Sequence, residues 1–399
     1  MLSIHYFNPG HETAVLNASK HYHPPVHVAK MQTDLAFLPA WYASNGDYVY
    51  METLLPDDFI RLCKDLGLSA NPATPVDFAS HRETFQNLSV DLWGISPQSI
   101  HFFEKMNKQW NLSIAVPQWK EEFQFLCSRF ASQKLLAELL NRISGIEPEL
   151  LPRFFTHIEA IEEQIARCRE KLLIKSPYSS SGRGLIWLRA GELAQSERQI
   201  ISGMLKRQSQ VSIEKVVNKY MDFSMQFEIT TQGKAQFIGY SIFQTNGKGA
   251  YEKSLLAGQE CLKKQLTQLI DNDLLSQTRM ALTELIQEMY APYYTGIIGV
   301  DLLIYQSGNF FHLHPCVEIN MRKNMGYLAI CLTEKYLHSD SHGMFSIEYN
   351  RYPQTVIQQH RQLRMQYPLI IKNGRIRSGY LNLCPITEET NYWAYIQIH

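Results

Sequence analysis

Apolar residues in this chain come in short blocks, some alternating with polar ones and some continuous, and Gly, Pro and Asn separate the blocks. LSIHYFN at the start is apolar and rich in strand formers, NPGHE is a turn, and a helix is expected from about Glu12. GDYVYME and LWGIS read as further strands of the same α/β layer. FLCSRFASQKLLAELLNRI carries apolar residues at helical spacing, with Ser128 and Ser132 as candidate caps. KLLIKSP reads as a short buried strand, and SQVSIEKVVNKYMDFSMQFEITTQGKAQFIGYSIFQT as successive strands turned at TQGK. LLSQTRMALTELIQEMYA is an amphipathic helix. Near the end, Asn373-Gly374 marks a hairpin turn inside IIKNGRIRSGYLNLC, and YWAYIQIH is a last strand.

Between these elements lies VDLLIYQSGNFFHLHPCVEINMR, residues 300–322, which reads as two strands joined by a turn. Asp301 is expected to open the first strand, and Glu318 and Asn320 to close the second. Two carboxylates and an amide offer oxygen, which suits magnesium rather than zinc, and magnesium commonly bridges to substrate phosphates. Glu318 and Asn320 are two apart and share a strand face, and Arg322 is the next step on it. The bland alternative is a solvated surface hairpin. Pro315 has no N–H for a ladder, so a bulge is expected in HLHPC. His312 and His314 form an HxH pair with no third ligand nearby in sequence, which reads as cross-strand packing rather than zinc. His21, His23 and His27 surround Pro24 and Pro25 in an irregular loop, and Phe102 and Phe103 read as core rather than a base-stacking platform.

Two further stretches carry chemistry. In LLIKSPYSSSGRGL a strand delivers Lys175, a point charge for phosphate oxygens, ahead of a loop of small residues that lets backbone N–H groups approach phosphate. Neither GxxxxGK[ST] nor GxGxxG is present. In VSIEKVVNKYMDF, Glu214 ends a strand-rich run and Asp222 follows eight residues later. Such a segment can offer its backbone to an adenine edge and an acid to ribose hydroxyls; a solvated connection is the alternative.

Composition narrows the classes. The 399 residues suffice for two or three domains, and 45% hydrophobic with 19% charged residues marks a folded chain. Lys+Arg and Asp+Glu both number 38, so no bulk charge favours nucleic acid or an anionic membrane, and any anion site must be local. Seven scattered cysteines without CxxC fit buried thiols in a reducing cytoplasm. The start lacks signal-peptide character, and no run approaches the ~20 apolar residues of a membrane span.

In this order, the pieces resemble the ATP-grasp superfamily, the fold of D-alanine–D-alanine ligase, glutathione synthetase and biotin carboxylase. The resemblance runs over about residues 115–345 and is strongest at IKSPYSSSGRG, SIEKVV and CVEINMR; FNPGHETAVLN and WGISPQSIHFF also resemble uncharacterised bacterial members. It implies an α/β pre-ATP-grasp domain at 1–114, an α+β subdomain with the phosphate loop at 115–210, a second with the adenine hinge and metal site at 211–345, and a tail at 346–399 whose hairpin packs on the body. By resemblance, Lys175 matches the phosphate-binding lysine and Ser179, Ser180, Ser181, Gly182 and Gly184 the loop that closes over phosphates. Arg129 stands where the family has an earlier lysine, with Lys134 as the other candidate. Glu214, Lys215 and Val217 match the adenine hinge, Asp222 the ribose acid, and Asp301, Glu318 and Asn320 the magnesium ligands. Arg322 matches the arginine that faces an acyl phosphate. The implied activity is an ATP- and magnesium-dependent carboxylate–amine (or thiol) ligase. The implied partners are ATP, a small carboxylate and an amine; neither nucleic acid nor membrane is implied, and a homodimer is compatible. A phosphotransferase acting on a hydroxyl and a nucleotide-binding protein without turnover are the alternatives.

Overall fold

The structure is a computed structural model that describes residues 1–399 except 69, 180–183, 190 and 192. The chain forms two compact units, each discontinuous in sequence. Unit 1 comprises Met1–Lys120, Glu252–Leu262 and Arg322–His399; unit 2 comprises Glu121–Tyr251 and Lys263–Met321.

Unit 1 begins with four parallel strands, β1 (Ser3–Tyr6), β2 (Tyr48–Tyr50), β3 (Asn71–Ala73) and β4 (Ser89–Leu92), ordered β3-β2-β1-β4. Ile4, Tyr6, Tyr50, Phe78 and Phe103 are among the residues that bury one core around this sheet. The strand expected at LWGIS lies slightly earlier, because Trp93–Ile95 turns into the helix Pro97–Trp110, capped by Ser96. The strand order reverses direction between β1 and β4, the place where α/β sheets open a crevice beyond their carboxyl ends. Asn8 bridges the two following loops, donating to Gly94 O at 2.7 Å and accepting from Gly94 N at 3.1 Å. Phe102 and Phe103 lie in this unit, stacked or edge-on to Tyr6, as expected of core aromatics.

Unit 2 contains two sheets. The first holds β5 (Arg153–Phe155), β6 (Leu172–Lys175), β7 (Leu185–Leu188) and β8 (Val211–Lys215) in the order β5-β8-β6-β7. Alternation in β6 decides its two faces: Leu172 and Ile174 join a core with Ile161, Ile165, Ile201 and Met204 from two covering helices, which leaves Leu173 and Lys175 on the other face. The second sheet runs β13-β12-β9-β10, from β9 (Asn218–Ile229), β10 (Ala235–Thr245), β12 (Gly296–Ser307) and β13 (Phe310–Asn320), with β11 (Tyr251–Leu256) leading out of the unit in sequence. Phe223, Met225, Phe227 and Ile229 alternate along β9 and are fully buried. The long helix expected around FLC…NRI is two helices, Glu122–Leu126 and Arg129–Arg142. Ser128 occupies the N-cap position but its hydroxyl donates to Phe125 O, whereas Ser132 is no cap: its Oγ accepts Ile319 N–H at 3.0 Å and ties the helix to β13.

The rest of unit 1 is antiparallel, in the order β11-β14-β17-β16-β15, with β14 (Gly343–Tyr349), β15 (Ile370–Lys372), β16 (Arg375–Asn382) and β17 (Tyr392–Ile398). Asn373 and Gly374 have φ of 53° and 73°, the two positive values that a type I′ turn requires. Residues 346–399, expected as a tail, are integral to unit 1: Trp41 Nε1 donates to Leu383 O at 2.7 Å, and Asp34 accepts from Asn391 N and Tyr392 N.

A side chain at position 94 would place its Cβ 2.4 Å from His11 Cγ, beside a ring too buried to swing away. Gly94→Ala is expected to destabilise the protein by about 1–3 kcal/mol, read from the denaturant midpoint; an unchanged midpoint would show that His11 relaxes freely.

Candidate functional site

A cavity of about 190 Å³ lies in unit 2 between its two sheets. On the side of the first sheet, Lys175 pairs across the strands with Ser212 and Leu185, and Leu173 with Glu214 and Trp187, so all of these share one face. Lys175 and Glu214 form an ion pair with side chains 5% and 13% exposed. Lys215, Val216 and Val217 follow at the rim. Val216 N donates to Lys171 O and Val217 O accepts from Lys219 N, which fixes this connection between β8 and β9.

On the second sheet, the acids come together through strand register. Asp301 lies within β12, not at its start, because the strand begins at Gly296. It stands opposite Glu318 on one side and Ser224 on the other. Leu303, two residues on, stands opposite His314 and Asp222. Between these rows, Pro315, Cys316 and Val317 occupy the place that Leu302 alone occupies on β12, the bulge expected at Pro315. Asn320 Nδ2 donates to Asp301 Oδ2 at 3.0 Å, so Asp301, Glu318 and Asn320 do converge. Asp222 Oδ2 accepts from Lys219 Nζ at 2.6 Å and from Thr245 Oγ1 at 2.9 Å.

Arg129, at the start of its helix, reaches the same cavity. Its Nη2 lies 3.0 Å from Glu318 Oε2 and 3.3 Å from Ser179 Oγ, and its Nε donates to Ser176 O. Lys134, the other candidate for the early phosphate cation, is brought elsewhere, to a recess lined by Glu122, Glu138 and Tyr293. Five residues along a helix turn a side chain well over a quarter-circle away. Gly184 adopts φ +74° and accepts Ser176 N–H at 3.0 Å; Ser180, Ser181 and Gly182 lie outside the described residues.

The strand ends at Asn320, so alternation does not carry on to Arg322, which belongs to unit 1. There Arg322 Nε donates to Glu12. Burial alone would raise the Glu12 carboxyl, but Arg322 and His11 hold it down at about 2.

Several cavity residues were not among the candidate site residues. Leu173, Leu185, Trp187, Phe243 and Leu303 supply apolar walls, and His314 lines the floor 6% exposed. Burial, aided by the charge of Lys175, lowers the His314 imidazole from its ordinary 6.5 to about 3, so it is neutral near pH 7. Alternation was the available signal, since His314 and Glu318 sit on positions of the same parity.

No family model and no curated protein matches the chain. Among solved structures, it is similar to N5-carboxyaminoimidazole synthetase from Staphylococcus aureus complexed with ADP, with a TM-score of 0.51 and 12% identity over 100% of this chain and 93% of that chain. A second structure of the Staphylococcus aureus enzyme gives a TM-score of 0.50 and 12% identity, over 100% of this chain and 93% of that one. The chain has an ATP-grasp fold. At such identity the likeness is one of backbone, and the chemistry of the cavity rests on its own residues. No described helix is long and apolar enough to cross a membrane.

Lys175→Met removes one member of a buried pair and strands the Glu214 charge. We expect a loss on the order of 3 kcal/mol in unfolding free energy, partly recovered by adding Glu214→Leu. Additive losses in the two variants would show that the pair is not coupled. The folded-state proton affinity of His314 is depressed, so its neutral burial contributes stability above about pH 6.5 that is lost as the pH falls towards 3. His314→Leu is therefore expected to flatten the acid side of the stability curve over that window, measured by denaturant titration at several pH values; an unaltered curve would contradict the burial of a neutral ring.

Proposed function

We propose that this protein is an ATP- and magnesium-dependent ligase that joins a small carboxylate to an amine (or thiol) through an acyl phosphate. The observation that carries the reading is the meeting of Lys175 and Arg129 with Asp301 and Glu318 in one cavity of an ATP-grasp fold, with Asn320 hydrogen-bonded to Asp301. The solved neighbour of this fold holds ADP, which agrees with a nucleotide in the cavity.

Each residue has a task in that reading. The Lys215–Val217 connection would present its backbone to the adenine edge, and Asp222 the ribose. Lys175 and Arg129 would carry the negative phosphate oxygens, and Ser179 and Gly184 would flank them. Asp301, Glu318 and Asn320 form an all-oxygen donor set that fits magnesium, which when bound would supply charge neutralisation at the β- and γ-phosphates. A carboxylate oxygen attacks the γ-phosphorus and ADP departs. The amine nitrogen then attacks the acyl carbon, loses a proton, and phosphate departs. This is positioning and electrostatics, with no protein nucleophile. The assignment of Arg322 to the acyl phosphate rests on the resemblance of its motif alone; within unit 1 it pairs with Glu12.

The test has two arms. ATP with magnesium should raise the unfolding temperature, because a ligand that binds only the folded state stabilises it by mass action. No shift at millimolar ATP in a folded sample would sink nucleotide binding. An ATP-consumption screen over carboxylates and amines, read by mass, should then yield ADP, phosphate and an amide in equal amounts. A phosphorylated hydroxyl compound in place of the amide would make the protein a phosphotransferase. Glu318→Gln keeps shape but removes a charge the metal needs. It should fold, retain ATP binding within about 10-fold and lose turnover by 100-fold or more, on the order of 3 kcal/mol; native turnover would remove Glu318 from the ligand set.

A further inference from the structure

The nucleotide cavity contains a polar side chain for which neither the fold nor the metal set provides a use. His314 lines it 6% exposed, and its Nδ1 is enclosed, with no partner among the described residues beyond its own backbone. The neighbouring histidine on that strand face is differently placed: His312 stacks on Tyr305 with centroids 5.4 Å apart and lies 3.8 Å from Glu147. Leucine would fill the same position without the cost of enclosing a polar ring. Zinc does not account for the ring either, since no group of three or more His, Cys, Asp or Glu is placed to hold a metal among the described residues.

Position and charge say what the ring faces. His314 is opposite Leu303, in the row next to the one formed by Asp301 and Glu318. That row lies about 7 Å along the strand, within the length of a diphosphate and its metal. Lys175 is near enough for its charge to act on the imidazole. The ring is neutral, so it keeps one N–H donor without adding a further cation beside Lys175 and Arg129.

We propose that His314 is a phosphate contact of this cavity, donating an imidazole N–H to the nucleotide oxygens carried by Lys175. The inference rests on the reading of the cavity as a nucleotide site. It makes recognition of the diphosphate depend on a donor whose protonation does not change across the physiological range, and it assigns a purpose to the second histidine of HLHPC.

The experiment is calorimetric titration of the full-length protein with magnesium–ADP and with adenosine. His314→Leu and His314→Met are two apolar replacements of different shape, so the comparison survives if one fails to fold. His314→Gln retains an N–H donor. Unfolding midpoints without ligand are measured for each. Either apolar variant should bind ADP roughly 3- to 10-fold more weakly than the native protein, as for the loss of one neutral hydrogen bond. Adenosine binding should be unchanged, and His314→Gln should recover most of the ADP affinity. Native ADP affinity in a folded apolar variant overturns the proposal. Equal losses for ADP and adenosine overturn the phosphate assignment, since the ring would then act on the nucleoside or on packing alone. If the native protein itself binds no ADP, the nucleotide reading fails and takes this inference with it, an outcome distinct from a native protein that binds and a variant that binds as well.

Discussion

A missing N–H at Pro315 governs the geometry of the cavity. Below it, β13 pairs with β12 so that His314 meets Leu303; above it, the pairing has slipped by two residues and Glu318 meets Asp301. Had the lower register continued, Cys316 would stand opposite Asp301, and Glu318 would face Gly299. Because the slip is even, it does not exchange the two faces of the strand. It carries the acids along the cavity wall to a place where an oxygen donor set can close, while the residues before the bulge stay committed to the floor. The ladder of β12 with β9 remains in register across Asp301 and shifts only beyond Ile304.

The charges of the cavity are already balanced without a ligand. Lys175 is held by Glu214, Arg129 by Glu318, and Lys219 by Asp222. For Lys175 and Arg129 this follows from burial, since an unpaired charge with so little exposure would cost several kcal/mol. Under the proposed function a bound polyanion would exchange partners rather than neutralise free cations, and its net gain would be a difference between two paired states. For a chain with no net charge, such local pairing is how an anion site is kept both stable and specific.

Much of this was legible in the sequence, and the failures share one cause. The strand carrying Lys175, the TQGK and Asn-Gly hairpins, the bulge at Pro315 and the convergence of Asp301, Glu318 and Asn320 all depend on neighbours within about twenty residues. The start of β12 was placed too late because GIIGV, ahead of Asp301, lacks alternation: it is buried on both faces, and a continuous apolar run does not mark its own beginning. Arg322 was given a strand face that stops at Asn320. Alternation puts His314 on the face of Glu318, but that this face lines a cavity depends on the opposing sheet, which lies far off in sequence. The union of residues 322–399 with 1–120 was invisible for the same reason, since β-pairing and anchors such as Trp41 to Leu383 connect segments hundreds of residues apart.

The path of the chain through its two units bears on how the protein is made. β17 is an interior strand, hydrogen-bonded to β14 on one side and to β16 on the other. During synthesis, the parallel strands of residues 1–92 emerge early, yet the antiparallel sheet of their unit lacks its middle until residues 392–398 have left the ribosome. Unit 2, whose segments end at Met321, is available to fold well before that. For most of translation, the nascent chain therefore carries unit 1 as a half-built sheet with open edges, the kind of surface that invites pairing with other chains. Its yield in the cell is then expected to depend on how quickly β17 arrives, a kinetic vulnerability that belongs to unit 1 and not to the unit that holds the cavity.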